Sequence, residues 1–269
     1  MSGGGTGSGT FLGSVMMTVD EASGDAWLPE NTQFCLLGTV HGDTRGSQRL
    51  HRFLDGFQPD LILLEMSPFA WAYRKTHRRL LQQTLTANVR QAAILKGWSQ
   101  QRALGHPLVQ AIRRQIAMPF EFQASYRYAR SLNKWLLLID RSDFSMHLLA
   151  HWSHLLSVSN VALLLALPAS GQPRTAMSQY RRARKELHPS PGQVPIMTDV
   201  VDSGAESHWL EREYSLAERV RGVVAAIVPR RCVYVGGWEH LRDQVEPASL
   251  RSLLGVASGQ CHLLDDFDS

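Results

Sequence analysis

The 269-residue chain has few cysteines, and none of them is arranged for pairing or for redox chemistry. Cys35, Cys232 and Cys261 are its three cysteines, and no two of them form a C-x-x-C pair. An odd, small number of cysteines is typical of a reducing compartment and excludes a disulfide-stapled fold. We therefore expect a cytoplasmic protein whose stability comes from an apolar core.

Signals for secretion and membrane insertion are also lacking. A secretory signal requires a basic residue before its apolar region. The N-terminal stretch of this chain has no Lys or Arg before its short apolar piece. The longest apolar run, "SVSNVALLLALP", falls well short of the roughly 20 residues that span a bilayer. The sequence predicts a flexible leader over residues 1–26, one α/β domain over residues 27–269, and no transmembrane segment.

Charge is balanced over the whole chain. There are 28 Lys and Arg against 24 Asp and Glu, a net charge of +4. So small an excess does not favour nucleic acid as a partner, and a peptide or small-molecule substrate is the better expectation. The composition is compatible with either a monomer or a homo-oligomer.

Four segments run apolar for about five residues and then meet polar groups: "QFCLLGTVH", "PDLILLEMS", "NKWLLLIDRSD" and "RCVYVGGWEH". Continuous apolarity is typical of strands covered on both faces. Helical patterns separate the segments, and "QCHLLDDF" is a candidate fifth strand. We predict an α/β fold with a mainly parallel central sheet flanked by helices. A largely helical insertion follows the second strand, and one helix is predicted over Ser145–Leu167.

Parallel strands place their carboxyl ends at one edge of the sheet, where open α/β folds bind ligands. The residues expected to converge there are His41, Glu65, Asp140, Arg141, Asp143 and His240. His41 and His240 each close a Gly-x-x-His motif. Imidazoles are good ligands for Zn, Mn or Co, and Glu65 could complete a set that activates water. A metal-free alternative uses one histidine as general base, oriented by an acidic neighbour.

Structural roles compete with these assignments. Glu65 could pair with an arginine such as Arg74, and Asp140 with Arg141. Glu121 could interact favourably with the dipole at the N-terminus of a helix. Glu211 and Tyr214 share one helix face, which alone would be an ordinary solvated surface.

The order of the pieces resembles the TraB/PrgY (TraB/GumN) family, within the superfamily that includes TIKI proteases, ChaN-like haem-binding proteins and erythromycin esterase-like enzymes. The matching stretches are "LLGTVHGD", "PDLILLEMS", "FEFQASYRYARSLNKWLLLIDRSD", "EREYSLAERV" and "VYVGGWEHL". The resemblance implies an α/β fold in which His41, Glu65 and His240 face one pocket. It also implies a metal-dependent hydrolase, or metalloprotease-like enzyme, acting on a peptide or related amide.

Further residues are implied only by the resemblance. Arg74 would be the arginine that follows the glutamate, and the later charged positions would be Glu121, Asp140, Arg141, Asp143, Glu211 and Arg212. The chain departs from the family pattern at Pro119, Arg127, Trp238 and Glu239. The bulky Trp238 would narrow the pocket, and Glu239 is an alternative acid/base.

The leading hypothesis is a hydrolase in which His41, Glu65 and His240 hold a divalent metal (Mn, Co or Zn) or its activated water, supported by Asp140, Arg141 and Glu211. One alternative is a pocket that binds haem or a small anionic ligand without turnover. Another is a partner-binding scaffold with a vestigial site.

Overall fold

The centre of the fold is a five-stranded, all-parallel sheet with the strand order β3-β2-β4-β1-β5. A computed structural model describes residues 27–167, 175–187, 203–243 and 248–268. The predicted leader lies outside these residues. The strands are β1 (Gln33–Thr39), β2 (Leu61–Leu64), β3 (Trp135–Leu138), β4 (Arg231–Gly237) and β5 (Cys261–Leu263). The predicted α/β fold with a parallel sheet is confirmed.

The strands form where the sequence is continuously apolar. Such a sequence suits β2 and β4, which are covered by other elements on both faces of the sheet. Every residue of β2 is buried, as is β4 from Cys232 onward. β4 pairs with β1 on one side and β2 on the other, although it follows them by more than 160 residues. A late segment thus lies in the middle of the sheet, between the two earliest strands.

Eleven helices surround the sheet within the described residues. The first five are α1 (Gly46–Phe57), α2 (Pro68–Leu95), α3 (Gln100–Leu104), α4 (Pro107–Ile116) and α5 (Phe120–Leu132). The others are α6 (Ser142–Ala150), α7 (Trp152–Leu155), α8 (Val158–Ala166), α9 (Ala176–Leu187), α10 (Ser203–Ile227) and α11 (Leu250–Leu254). A 3₁₀ turn over Trp238–Leu241 follows β4 directly.

The single helix predicted over Ser145–Leu167 is wrong, because the chain forms α6, α7 and α8 there. Ser157 ends the run: its hydroxyl accepts a hydrogen bond from the backbone N–H of Asn160 and caps α8. The side-chain amide of Asn160 in turn donates a hydrogen bond to the backbone carbonyl of His154. Serine and asparagine compete with helical hydrogen bonds in this way, so they start a new helix here.

Two apolar cores form. The larger one holds the sheet together with α1, α5 and the buried faces of α9 and α10. The smaller one joins α2, α3, α4 and α8 through residues such as Leu85, Val89, Ala103, Val109 and Val161. No single helix in the described part of the chain is long and apolar enough to cross a membrane; one pair bent by 86°, Ser142–Leu155 with Val158–Ala166, meets the length and composition criteria together.

Candidate functional site

The predicted polar residues follow four adjacent strands at one edge of the sheet. From β3 across to β1 they are Asp140, Glu65, His240 and His41. The backbone continues the sheet up to the side chains: the N–H of Glu65 donates to the carbonyl of Val235 at 2.9 Å, and that of Asp140 to Met66 at 3.3 Å. These four strand ends therefore lie side by side at one edge, whereas Arg141 and Asp143, also expected there, pair with each other at the surface.

Glycines at the ends of β1 and β4, in or directly before the two Gly-x-x-His motifs, allow these strand ends to pack closely. A Cβ on Gly38 would lie 3.0 Å from the Cα of Trp238, so the first motif makes room for the backbone of the second. A Cβ on Gly236 would overlap the hydroxyl of Tyr234 and Oε2 of Glu65. These contacts require glycine for steric reasons, since neither backbone has a positive φ.

The carboxylate of Glu65 is buried and fully occupied by donors. Oε1 lies 2.5 Å from Nη2 of Arg212 and 3.0 Å from Nε2 of His240. Oε2 accepts a hydrogen bond from the backbone N–H of Gly237 at 2.6 Å. Burial raises the pKa of Glu65, but the positive charges of His240 and Arg212 outweigh it and hold the pKa well below its usual range.

His240 lies between two buried carboxylates. Its Nε2 faces Glu65, and its Nδ1 lies 2.6 Å from Oε1 of Glu213, a side chain with no solvent exposure. The ring stacks on Trp209, with centroids 5.0 Å apart and planes at 12°. Burial lowers the pKa of His240, but the charges of Glu65 and Glu213 raise it further, to about 10. His240 is therefore an imidazolium at neutral pH.

Arg212 links the ends of β2 and β3. Its Nε and Nη2 bind the two oxygens of Asp140 at 3.0 and 2.8 Å, while Nη2 also reaches Glu65. The bidentate contact matches the planar guanidinium to a carboxylate. Arg219, two turns further along α10, donates to the carbonyls of Ile139 and Asp140. Two arginines of one helix thus fix the end of β3.

His41 has a different environment at the end of β1. Its Nδ1 lies 2.8 Å from Oε1 of Glu121, and the same oxygen accepts a hydrogen bond from the hydroxyl of Thr39 at 3.1 Å. The side chain of His41 is 67% exposed, whereas that of Glu121 is 5% exposed. The hydrogen bond to Glu121 raises the pKa of His41, and the charges of Glu65 and Glu239 act in the same direction.

Arg141 and Glu211 form a separate cluster at the surface. Arg141 pairs with both Glu211 and Asp143, and the two carboxylates are exposed. Only the backbone N–H of Arg141 contacts the buried network, through Oδ1 of Asp140. The internal Asp140–Arg141 ion pair considered from the sequence is replaced by Asp140–Arg212.

Arg74 does not contact Glu65. It donates to the carbonyl of Gln115 and lies over the ring of Trp152, and Arg212 is the arginine on Glu65. Trp238 is buried in the larger core, with Arg242 over its ring.

The three predicted metal ligands are not arranged as a ligand set. His240 presents both ring nitrogens to carboxylates, and an imidazolium has no lone pair for a metal. Glu65 contacts His240, whereas His41 contacts Glu121. In the part of the chain that the structure describes, no group of three His, Cys, Asp or Glu side chains could hold a metal ion.

Sequence reasoning missed Glu213 altogether and gave Arg212 no contact of its own. A signal for Glu213 exists in the spacing of α10, where it lies on the same stripe as the buried Leu216, Val220 and Val224. A carboxylate at a core position of an amphipathic helix needs a buried cation, and His240 is that cation.

No family model matches the chain, and no curated protein and no solved structure has detectable similarity to it.

Proposed function

We propose that this protein is a hydrolase of peptide or related amide or ester bonds, and that His41 is its general base. The observation that carries the proposal is the pairing of His41 with Glu121. A buried carboxylate holds Nδ1, while the imidazole is largely exposed and its Nε2 has no hydrogen bond to any described residue. The resemblance to the TraB/PrgY family points to the same class of reaction.

The chemistry follows from the tautomer that Glu121 selects. With the Nδ1 proton held by the carboxylate, neutral His41 has its lone pair on Nε2. Nε2 takes a proton from a water molecule as the water oxygen bonds to the substrate carbonyl carbon. The same proton then passes to the leaving amine or alkoxide as its bond to carbon breaks. Glu121 stabilises the imidazolium formed between these steps.

The buried ion pairs give this base a fixed support. Glu65 accepts from the backbone of Gly237, the register partner of Thr39, whose hydroxyl binds Glu121. A continuous set of contacts therefore joins the Glu65–His240 pair to the His41–Glu121 pair. We assign a positioning role to the buried residues Glu65, His240, Arg212 and Asp140. Arg141 and Glu211 lie beside them at the surface.

A divalent metal on His41, Glu65 and His240 does not fit the donors as arranged. It would require His240 to lose one of its two ring protons, which face Glu65 and Glu213, and Glu65 to release Arg212. The general-base mechanism leaves both of these contacts in place. It requires only that the exposed His41, whose pKa the hydrogen bond to Glu121 raises to about 9, release its Nε2 proton to solvent. We therefore prefer it to the metal-dependent form.

The test is activity profiling of the purified protein across peptide, amide and ester libraries, with and without added Mn, Co or Zn. We expect hydrolysis that persists in a chelator. Activity that requires added metal would favour the metal-dependent form instead. No hydrolysis, together with a haem absorbance band or bound metal by elemental analysis, would favour a binding protein.

A further inference from the structure

The charges of this chain are segregated, although its total is balanced. Between Met66 and Phe120 there are nine Lys and Arg and no Asp or Glu. The rest of the chain carries the other 19 Lys and Arg against all 24 Asp and Glu. One segment is thus strongly cationic in an otherwise slightly acidic protein, a distribution typical of binding to an anionic surface.

This segment forms a distinct part of the fold, which we term the helical lobe: α2, α3 and α4 together with α7 and α8. The smaller apolar core lies inside it. The cations lie outside, since all nine except the half-buried Arg74 and Arg113 are exposed. None of the nine forms an ion pair within the described residues. Their charge is therefore available to a partner.

Two of the cations flank a shallow polar groove on α2. Arg79 and Arg90 lie at its ends, with Gln82, Gln83 and Thr86 between them. Arg113 of α4 donates to the hydroxyl of Thr86 at 3.4 Å and adds a third positive charge beside the groove. Three guanidinium groups around neutral hydrogen-bonding side chains suit phosphate or carboxylate head groups.

An apolar groove of about 600 Å³ lies between α4, α7 and α8. Ile112 and Gln115 of α4 line it together with α7 and α8. Its rim exposes large apolar side chains: Leu155 is 55% exposed, Leu163 66% and Leu167 55%. At the end of α2, Ile94 and Leu95 are also more than two-thirds exposed. Side chains of this kind gain free energy by leaving water.

We propose that the helical lobe docks on an anionic lipid surface. Cations and exposed leucines on one lobe match a bilayer interface, which offers acidic head groups above an apolar layer. A nucleic acid would use the cations but has no use for a leucine-lined groove of this size, and an acidic protein is distinguished from a membrane by the competition test below. No residue of the candidate site lines either groove, so the proposal is independent of the hydrolase proposal.

The test is co-sedimentation of the full chain with vesicles of phosphatidylcholine alone or mixed with phosphatidylserine. We expect binding to the mixed vesicles only, weakened by salt. The double variant Arg79→Gln/Arg90→Gln should bind about thirtyfold less tightly, since each basic residue contributes about fivefold at a lipid surface. Leu155→Asn/Leu163→Asn should lose about tenfold, because these side chains no longer insert.

Matched controls lie on α5, outside the helical lobe. Arg127→Gln/Arg130→Gln removes two exposed charges, and Leu132→Asn removes one exposed leucine; both should bind vesicles like the wild type. Equal binding to neutral vesicles, or no binding to mixed ones, would overturn the proposal. So would a DNA duplex or polyglutamate that competes for the protein while the leucine variants remain unaffected, since this would indicate a polyanion rather than a membrane.

Discussion

The Nδ1 atom of His41 lies 2.8 Å from Oε1 of Glu121, a residue 80 positions later in the chain. Glu121 occupies the first turn of α5, and its side chain is buried whereas that of His41 is exposed. A buried carboxylate that holds one nitrogen of an exposed histidine is the arrangement of a general base and its orienting group. The first two predictions follow from this pair.

Replacing Glu121 by glutamine should slow hydrolysis while preserving the fold. The amide can still contact Nδ1, but it carries no charge to stabilise the imidazolium that forms during the reaction. We expect kcat to fall by about tenfold or more. The measurement is steady-state kinetics on the best library substrate, with circular dichroism to compare folding. An unchanged kcat in a folded Glu121→Gln variant would remove Glu121 from the mechanism.

The pH dependence should report the same pair. A general base acts in its neutral form, so the rate should rise with pH through the pKa of His41. The hydrogen bond to Glu121 raises that pKa above 6.5, so the rising limb should lie on the alkaline side of 6.5. In Glu121→Gln the limb should move to lower pH. A limb that stays in place in the variant would assign the titration to another group.

His240 should stabilise the fold more than it contributes to chemistry. His240→Gln leaves Glu65 and Glu213 as buried carboxylates without their shared cation, which should cost about 3–5 kcal/mol of unfolding free energy in urea denaturation. His106→Gln is the matched control, because His106 is also buried but has no ion pair among the described residues. Equal losses in the two variants would contradict the role of the ion pairs.

The contribution of His240 should also depend on pH in a defined direction. Its folded pKa, about 10, lies above its unfolded value of 6.5, so its stabilisation is complete below 6.5 and is lost as pH rises through 10. The pKa of Glu65 is depressed, so its part is lost only as pH falls below 4.5. The stability difference between wild type and His240→Gln should therefore narrow between pH 7 and pH 10. A difference that stays constant over this range would mean that His240 is already neutral in the folded protein at pH 7.

Gly236 should be intolerant of a methyl group. A Cβ there would overlap Tyr234 and Glu65, both buried, so Gly236→Ala should cost about 1–3 kcal/mol. Gly222→Ala in α10 is the control: its Cβ would meet nothing within 4 Å, and alanine should stabilise that helix by about 0.5–1 kcal/mol. The measurement is urea denaturation of both variants. Equal stability of the two would show that the strand end can relax.

The fold was largely predictable because β1, β2 and β4 are buried almost throughout. Continuous apolarity located β1, β2, β3 and β4. The strand order was not predictable, because the placement of β4 between β1 and β2 depends on contacts between distant segments. The break at Ser157 was missed because the apolar residues on both sides of it keep a helical spacing, and a serine in such a pattern was not interpreted as the start of a new helix.

The sequence predicted which edge of the sheet carries the candidate site, but not which side chains contact one another there. Strand endings identified His41, Glu65, Asp140 and His240, since each follows a strand directly. Their partners, Glu121, Arg212 and Glu213, come from helices, and local spacing does not tell which strand end a helical side chain meets. Arg74 lies near Glu65 in sequence, yet α2 carries it to Trp152. A buried polar position on a helix, such as Glu213, is the signal that would have helped most.

The most direct measurement is the hydrolysis rate of His41→Gln against His154→Gln, on the best library substrate and at the optimal pH. His154 is an exposed histidine far along the chain, so its variant controls for loss of a surface imidazole. We expect His41→Gln to lose at least about a hundredfold in kcat while remaining folded by circular dichroism, and His154→Gln to match the wild type. Full activity in His41→Gln would contradict the assignment of His41 as the base.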